Sequence, residues 1–294
     1  MKKKQAKMNK NIMEDLTIII PVHTTEFEDF DSYFDAALKS IANNCVRPEG
    51  DESDYLHPHE IIIPIPSEKF NEISSYLKTF DFAGLNVRCV QNDQSSTFAG
   101  QINFASNEVE TKYMTFLEFD DEVGDVFMQN AKQYTDYYGE AVYLPMITDV
   151  DKDGNMIGFT NEAAWASNFT ETPGKLDIDT VLQYPNFSFN GMIIPTKTFQ
   201  EIGKIKENIE LTFGYEFLLR TLNMGNDIFV IPKFVYKHMS MRPNSLFYLY
   251  KNDNDMYISS KDAELWIQIA KEEYLFRSDR EINKENYSLN EQEK

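Results

Sequence analysis

The stretch YMTFLEFDDEV, residues 113–123, is an apolar run that ends in Glu118, Asp120, Asp121 and Glu122. Carboxylates this close repel one another, and holding them beside a core is costly unless solvent or a cation neutralises them. The residues therefore allow two readings, an exposed acidic turn or a metal site. A second feature lies far along the chain. Residues 228–251 contain no Asp or Glu, although 48 of the 294 residues are acidic, and they hold Lys233, Lys237, His238, Arg242 and Lys251. That reversal of sign suits a diphosphate; the plain alternative is a buried strand pair followed by a basic loop.

The elements that must position these groups alternate between strand and helix. LTIIIPV (residues 16–22) is a β-branched run ended by Pro21, as in a strand covered on both faces. FDSYFDAALKSIANN has helical spacing, EIIIPIP reads as a second strand, SEKFNEISSYLKTF as a helix that Ser67 could cap, and LNVRCVQ as a third strand. The stretch between the first helix and Pro58 reads as an acidic loop, with His57 and His59 on the surface. FAGQINFASNEV is a further helix candidate, followed by the strand that ends in acids. Such alternation points to a mainly parallel α/β sheet.

Beyond it, DVDKDGNMIGFT mimics a calcium loop but has Thr160 where a bidentate Glu is required, so a hairpin turning at Gly154 fits better. Residues 161–190 read as a long irregular excursion carrying Trp165. DIFVIPKFVYKH reads as a final extended pair. SSKDAELWIQIAKEEYLF gives a helical extension within residues 246–280. Residues 1–14 are expected to be flexible and residues 281–294 a disordered tail.

Composition bounds the class. With 42% hydrophobic and 14% aromatic residues the chain can bury a large core. A net charge of −20 disfavours nucleic acid and anionic membranes as partners. Two cysteines, Cys45 and Cys89, exclude a disulfide framework and fit a reducing compartment. The first residues lack the apolar core of a signal peptide, and no window nears the ~18 apolar residues of a spanning helix, so a cytoplasmic location is expected. Phosphate-loop, dinucleotide and nucleophile-elbow glycine motifs are missing.

The order of LTIIIPVH, EIIIPIPS, STFAGQINFASNEVETKYMTFLEFDDEV, FNGMIIPTKTFQEIG, GYEFLLRTLNMG and VYKH resembles a GT-A glycosyltransferase of the large family 2 type, over residues 16–238. The resemblance implies a Rossmann-like mixed α/β domain over residues 15–245. It also implies transfer of a sugar, with inversion, from a nucleotide-sugar donor, UDP-linked, to a hydroxyl acceptor that could be a saccharide, a protein or another molecule. Family members hold a divalent cation on an acidic motif, which here matches Glu118, Asp120 and Asp121. Hard carboxylate oxygens suit Mg²⁺ or Mn²⁺. The metal set implied is Asp120 and Glu118 with His238, whose imidazole favours Mn²⁺. Contacts to the donor are expected from Pro21, His23, Thr24, Asp93, Gln101, Glu118, Lys237 and Arg242.

The catalytic base departs from the family pattern. Its usual position falls on Gly214, and Glu216, expected to project from the first turn of a helix, is the candidate in its place, with Glu210 also nearby. This departure, with Glu in place of Asp at 118, keeps open the alternative of a noncatalytic GT-A-like binding or assembly module.

Overall fold

The structure is a computed structural model that describes residues 11–23, 30–45, 56–82, 84–166, 171–240, 242 and 260–287. Its strands are β1 (Asn11–Ile19), β2 (Leu56–Pro66), β3 (Val87–Asn92), β4 (Tyr113–Phe116), β5 (Glu122–Val123), β6 (Val142–Val150), β7 (Met156–Thr160), β8 (Lys175–Leu176), β9 (Ile193–Pro195) and β10 (Ile228–Met239). The helices are α1 (Phe30–Cys45), α2 (Phe70–Leu77), α3 (Phe98–Ala105), α4 (Phe127–Tyr138), α5 (Ala163–Ala166), α6 (Ile178–Gln183), α7 (Thr196–Ile202), α8 (Phe213–Asn223) and α9 (Ser260–Glu273).

The strands form one sheet in the order β3-β2-β1-β4-β9-β6-β10-β5, with β7 added on β6 and β8 on β10. Neighbours β3, β2, β1 and β4 are parallel, as are β6 and β10, while β9 runs antiparallel to both β4 and β6. The expected mainly parallel α/β sheet is therefore present. Its strands read as apolar runs because both faces are covered. In β1 and just beyond it, Leu16, Ile18, Ile20 and Val22 join Phe34, Leu38 and Ile41 of α1 in one core. Ile19 faces the other way, with Met114 and Phe116 of β4, Ile102 of α3 and Phe217 of α8. This is the two-residue period of a strand buried between two helical layers.

Several expectations change at the edges. β1 starts at Asn11, inside the segment expected to be flexible, because Asn11 and Ile12 pair with Leu56 and His57. β2 accordingly begins inside the expected acidic loop, and His57 is buried. Ser67 does not cap α2; its hydroxyl donates to the Asn92 carbonyl (3.1 Å), tying the ends of β2 and β3. The expected final strand pair is the single strand β10, whose register slips on both sides of Phe234, just after Pro232, which has no N–H for the ladder. The mimic of a calcium loop is the β6–β7 hairpin, with Asp151 Oδ1 accepting from the backbone N–H groups of Asp153 and Asn155 (both 2.9 Å).

The described parts of residues 161–190 supply α5, β8 and α6 where an irregular excursion was expected, and Asp177 caps α6 by accepting from the Thr180 N–H (2.7 Å). The end of the chain also corrects the sequence reading. Within the tail expected to be disordered from residue 281, a 3-10 turn at Lys284–Tyr287 docks on α9; residues 288–294 lie outside the described residues. Tyr287 is buried with Trp266, Ile269, Ile209 and Leu211, and its hydroxyl donates to Glu273 Oε1 (3.0 Å). Among the described residues no helix is long and apolar enough to cross a membrane.

Loss of this small core should be measurable. Tyr287→Ala is expected to destabilise the fold by about 3 kcal/mol in urea unfolding, the low end for removing a buried aromatic side chain. An unchanged unfolding midpoint would mean that the turn contributes nothing.

Candidate active site

The acidic stretch leaves β4 as a turn. Leu117 N–H still bonds the Ile19 carbonyl (2.9 Å), Asp121 N–H bonds the Glu118 carbonyl (3.1 Å), and β5 then pairs with β10, Val123 opposite Tyr236 and Glu122 opposite Lys237. Two distant segments are thereby strapped together. Side chains two apart on a strand share a face, so Tyr236 and His238 both turn toward the acids. Tyr236 donates its hydroxyl to Asp121 Oδ2 (2.7 Å), the Met239 N–H donates to Asp121 Oδ1 (2.8 Å), and His238 Nδ1 lies 3.2 Å from both Asp121 oxygens.

Glu118, Asp121 and His238 can each bring one ligand atom within 4.8 Å of the other two. Asn190 donates its amide to Glu118 Oε1 (2.7 Å) and lies 3.5 Å from His238 Nδ1. It is placed there by Gly191, whose φ of +68° opens a left-handed turn and at which a Cβ would run into the Tyr236 ring.

The electrostatics record the crowding. Burial, then the Asp121 and Asp120 charges, push the Glu118 carboxyl up to about 8. Burial and Asp121 also raise Asp120 above the usual carboxylate range. Burial alone would lower His238, but the charge and hydrogen bond of Asp121, with Glu118 and Asp120, raise it to about 10. Tyr236 stays protonated far above its ordinary range, through burial and the same acids. The residues fit a divalent cation: hard oxygens and one imidazole converge, the cluster holds more negative charge than it can keep ionised, and Asp120 Oδ1 is buried without a partner among the described residues.

Two of the expected assignments shift. Asp121, rather than Asp120, joins Glu118 and His238, because Asp120 turns to the buried Arg242, whose guanidinium also lies 5.1 Å from the Phe119 ring centroid. Arg242 and Lys237 are paired with acids rather than held out for a diphosphate, Lys237 bonding Glu122 at 2.5 Å. The basic segment thus neutralises the acidic turn.

On the donor side, Pro21 is buried just past β1, and the His23 ring packs against Phe98 and Phe119 with no hydrogen-bond partner for its Nδ1 among the described residues. Burial, then Arg242, lowers His23 to about 4, so it is neutral. Asp93 is exposed just past β3. Gln101 is fully buried, and its amide is engaged within the protein: it donates to the Ser95 carbonyl (3.0 Å) and accepts from Asn92 (3.2 Å), bracing the loop after β3. Thr24 lies outside the described residues.

Glu216 corrects the expectation most sharply. It lies in the first turn of α8 but points inward, fully buried, accepting from Arg220 at two oxygens (2.8 Å each) with Lys206 at 3.2 Å. A carboxylate held by two buried cations is a structural anchor. Gly214, where the base would fall, has no room for one, since a Cβ there would meet the Phe189 ring at 2.7 Å. Trp165 is likewise committed, its indole N–H donating to the Val230 carbonyl (2.8 Å). Sequence reasoning missed Asn190 and Tyr236. The Asn-Gly pair at 190–191 and the two-residue spacing of Tyr236 and His238 were the available signals.

A mainly parallel sheet with one antiparallel strand inserted beside an acidic turn defines the GT-A fold of glycosyltransferases, and solved structures agree. The chain superposes over 93% of its length on residues 1–349 of S. aureus TarS bound to UDP-GlcNAc, covering 69% of that chain at 14% identity and a TM-score of 0.58. The same protein bound to UDP gives 93% and 68% coverage, 13% identity and a TM-score of 0.55. A longer TarS structure is covered over 41% of its length, with 14% identity and a TM-score of 0.55. No family model and no curated protein matches the sequence.

The reassignment of Glu216 has a direct check. Glu216→Gln leaves Arg220 and Lys206 short of their counter-charge and is expected to cost about 3–5 kcal/mol in chemical denaturation. A variant as stable as the parent would contradict the anchor role.

Proposed function

We propose that the chain is a glycosyltransferase that takes a sugar from a UDP-linked donor. The observation that carries this reading is the convergence of Glu118, Asp121 and His238 beside β4 in a GT-A sheet. The solved TarS complexes, which hold UDP-GlcNAc and UDP on the same fold, support the donor class. In the proposed reaction the acceptor oxygen bonds the anomeric carbon as that carbon's bond to the phosphate oxygen breaks. Nucleoside diphosphate leaves, and the hydroxyl proton passes to a base. Direct displacement of this kind inverts the anomeric centre.

A divalent cation, Mn²⁺ or Mg²⁺, held by Glu118, Asp121 and His238 would neutralise the departing diphosphate. Asn190 and Tyr236 orient these ligands, as hydrogen-bonded partners around metal sites do. Asp93 and His23 are proposed to meet the nucleoside, one as an exposed acceptor and the other through Nδ1, which has no partner among the described residues.

One observation favours a second reading, a binding module without turnover. The family's base position is a glycine walled off by Phe189, and Glu216 is locked in ion pairs. A panel of nucleotide sugars separates the two readings. The transferase reading expects UDP-sugars with Mn²⁺ to raise the melting temperature and UDP to be released on turnover. Stabilisation without UDP release would favour the module, and no response to any nucleotide would refute both.

The cluster also sets a pH dependence. Glu118, raised from 4.5 to about 8, and His238, raised from 6.5 to about 10, hold protons that the unfolded chain has lost. Metal-free stability should therefore fall as pH rises from about 5 through about 10, Glu118 contributing up to about 8 and His238 above about 6.5. A cation must displace these protons, so Mn²⁺ affinity should rise over the same window, with proton release. Titration calorimetry in buffers of different ionisation enthalpy reads that release; binding without it would contradict the ligand set.

A further inference from the structure

A cavity of about 240 Å³ is walled by Phe159, Asn161, Glu162, Tyr184, Asn186 and Phe187 among others. One hydrogen-bonded path joins it to the acidic cluster, and a strand pairing places a second lining residue beside it. Asn161 Nδ2 donates to the Ser188 carbonyl (2.9 Å), the Asn190 N–H donates to Ser188 Oγ (3.2 Å), and the Asn190 amide reaches Glu118 (2.7 Å). Thr160 donates to Asp149 (2.8 Å), which stands opposite His238 in the β6–β10 register. Asn161 holds a φ of +71°, a conformation rare outside glycine, and its further bonds to the Pro145 carbonyl (2.8 Å) and from the Ser188 N–H (2.9 Å) fix it there. The Asn161 side of the cavity is thus tied by hydrogen bonds to Glu118, one of the proposed metal ligands.

The walls have a distinct chemistry. Phe159 is 45% exposed and Tyr184 38% exposed. Phe159 is backed by Phe234, with ring centroids 4.6 Å apart, and Tyr184 meets Phe187 edge-on at 5.9 Å. Glu162 is half-buried at the cavity, and among the described residues neither its carboxylate nor the Asn186 amide has a protein partner. No Lys or Arg is among the described lining residues. Aromatic faces beside a carboxylate and an amide match a sugar ring, which offers an apolar C–H face and a rim of hydroxyls. An anionic acceptor would meet Glu162 with no lining cation, on a chain of net charge −20. The volume is below the ~300–1,000 Å³ of drug-sized sites, which suits a single ring.

From this we infer that the cavity is the acceptor subsite and takes one uncharged pyranose ring of a saccharide. The inference rests on the glycosyltransferase reading and narrows its acceptor class. The test is saturation-transfer NMR of the whole chain, with UDP and Mn²⁺ present. The probes are neutral oligosaccharides beside sialylated, sulfated and phosphorylated ones. Neutral members are expected to bind, and Phe159→Ala and Tyr184→Ala are each expected to weaken binding about five- to tenfold, the scale of one aromatic contact. Both side chains are partly exposed, and the melting temperature of each variant checks its fold. UDP-induced stabilisation should be unchanged in both. Binding confined to anionic saccharides, binding untouched by both substitutions, or no saccharide binding at all overturns the subsite. A normal UDP response in that case removes the subsite alone, whereas a parent protein blind to UDP removes the glycosyltransferase reading.

Discussion

Mutual repulsion among Glu118, Asp120 and Asp121 is the constraint around which the rest of the sheet is arranged. Each acid has a different answer to it: Arg242 for Asp120, Tyr236, His238 and the Met239 N–H for Asp121, and Asn190 for Glu118. All but one of these partners come from β10 and the residues just beyond it, which explains why that stretch contains no acids. The nine paired positions between β6 and β10 hold the partners in register, and the short β5 pairing closes the turn onto them. Even so, the neutralisation is incomplete. Glu118 and Asp120 remain above the usual carboxylate range, and one oxygen of Asp120 has no partner among the described residues, so the site retains a demand for positive charge.

A second set of buried charges does the opposite job. Lys206, Glu216, Arg220 and Glu273 are all buried, and they bind α8 to the segment before it and to α9. Arg220 also donates to the Ile202 and Lys204 carbonyls, so the end of α7 is tied to α8. Balanced buried pairs of this kind contribute more to a unique arrangement than to net stability. The carboxylate in the first turn of α8 anchors that helix from within.

The sequence revealed the core of the fold because the physics there is local. Unbroken β-branched runs mean strands covered on both faces, and LTIIIPV and EIIIPIP had only that reading. It also revealed the acidic turn and His238, since charge at the end of an apolar run is conspicuous. What it could not reveal depends on direction and register. Whether Asp120 or Asp121 joins the cluster turns on which of two adjacent side chains meets Tyr236 and His238, and that is set by the β5–β10 pairing. Glu216 occupies the first turn of a helix in either reading. Its inward direction follows from cations at Lys206 and Arg220, and the former lies outside the helix. Gln101 was placed on the correct helix, but its amide is consumed by the loop after β3. The docked Tyr287 was hidden because it lies in a polar sequence and buries against a satellite core.

The central claim, that residues brought together by β4, β5 and β10 form a cation site for a nucleotide donor, is tested most directly by anomalous diffraction from crystals grown with Mn²⁺ and UDP. The account expects a manganese peak about 2.0–2.3 Å from oxygens of Glu118 and Asp121 and from a His238 nitrogen, with the UDP diphosphate on its open side. A peak elsewhere, or UDP bound with no cation between these three side chains, would contradict it.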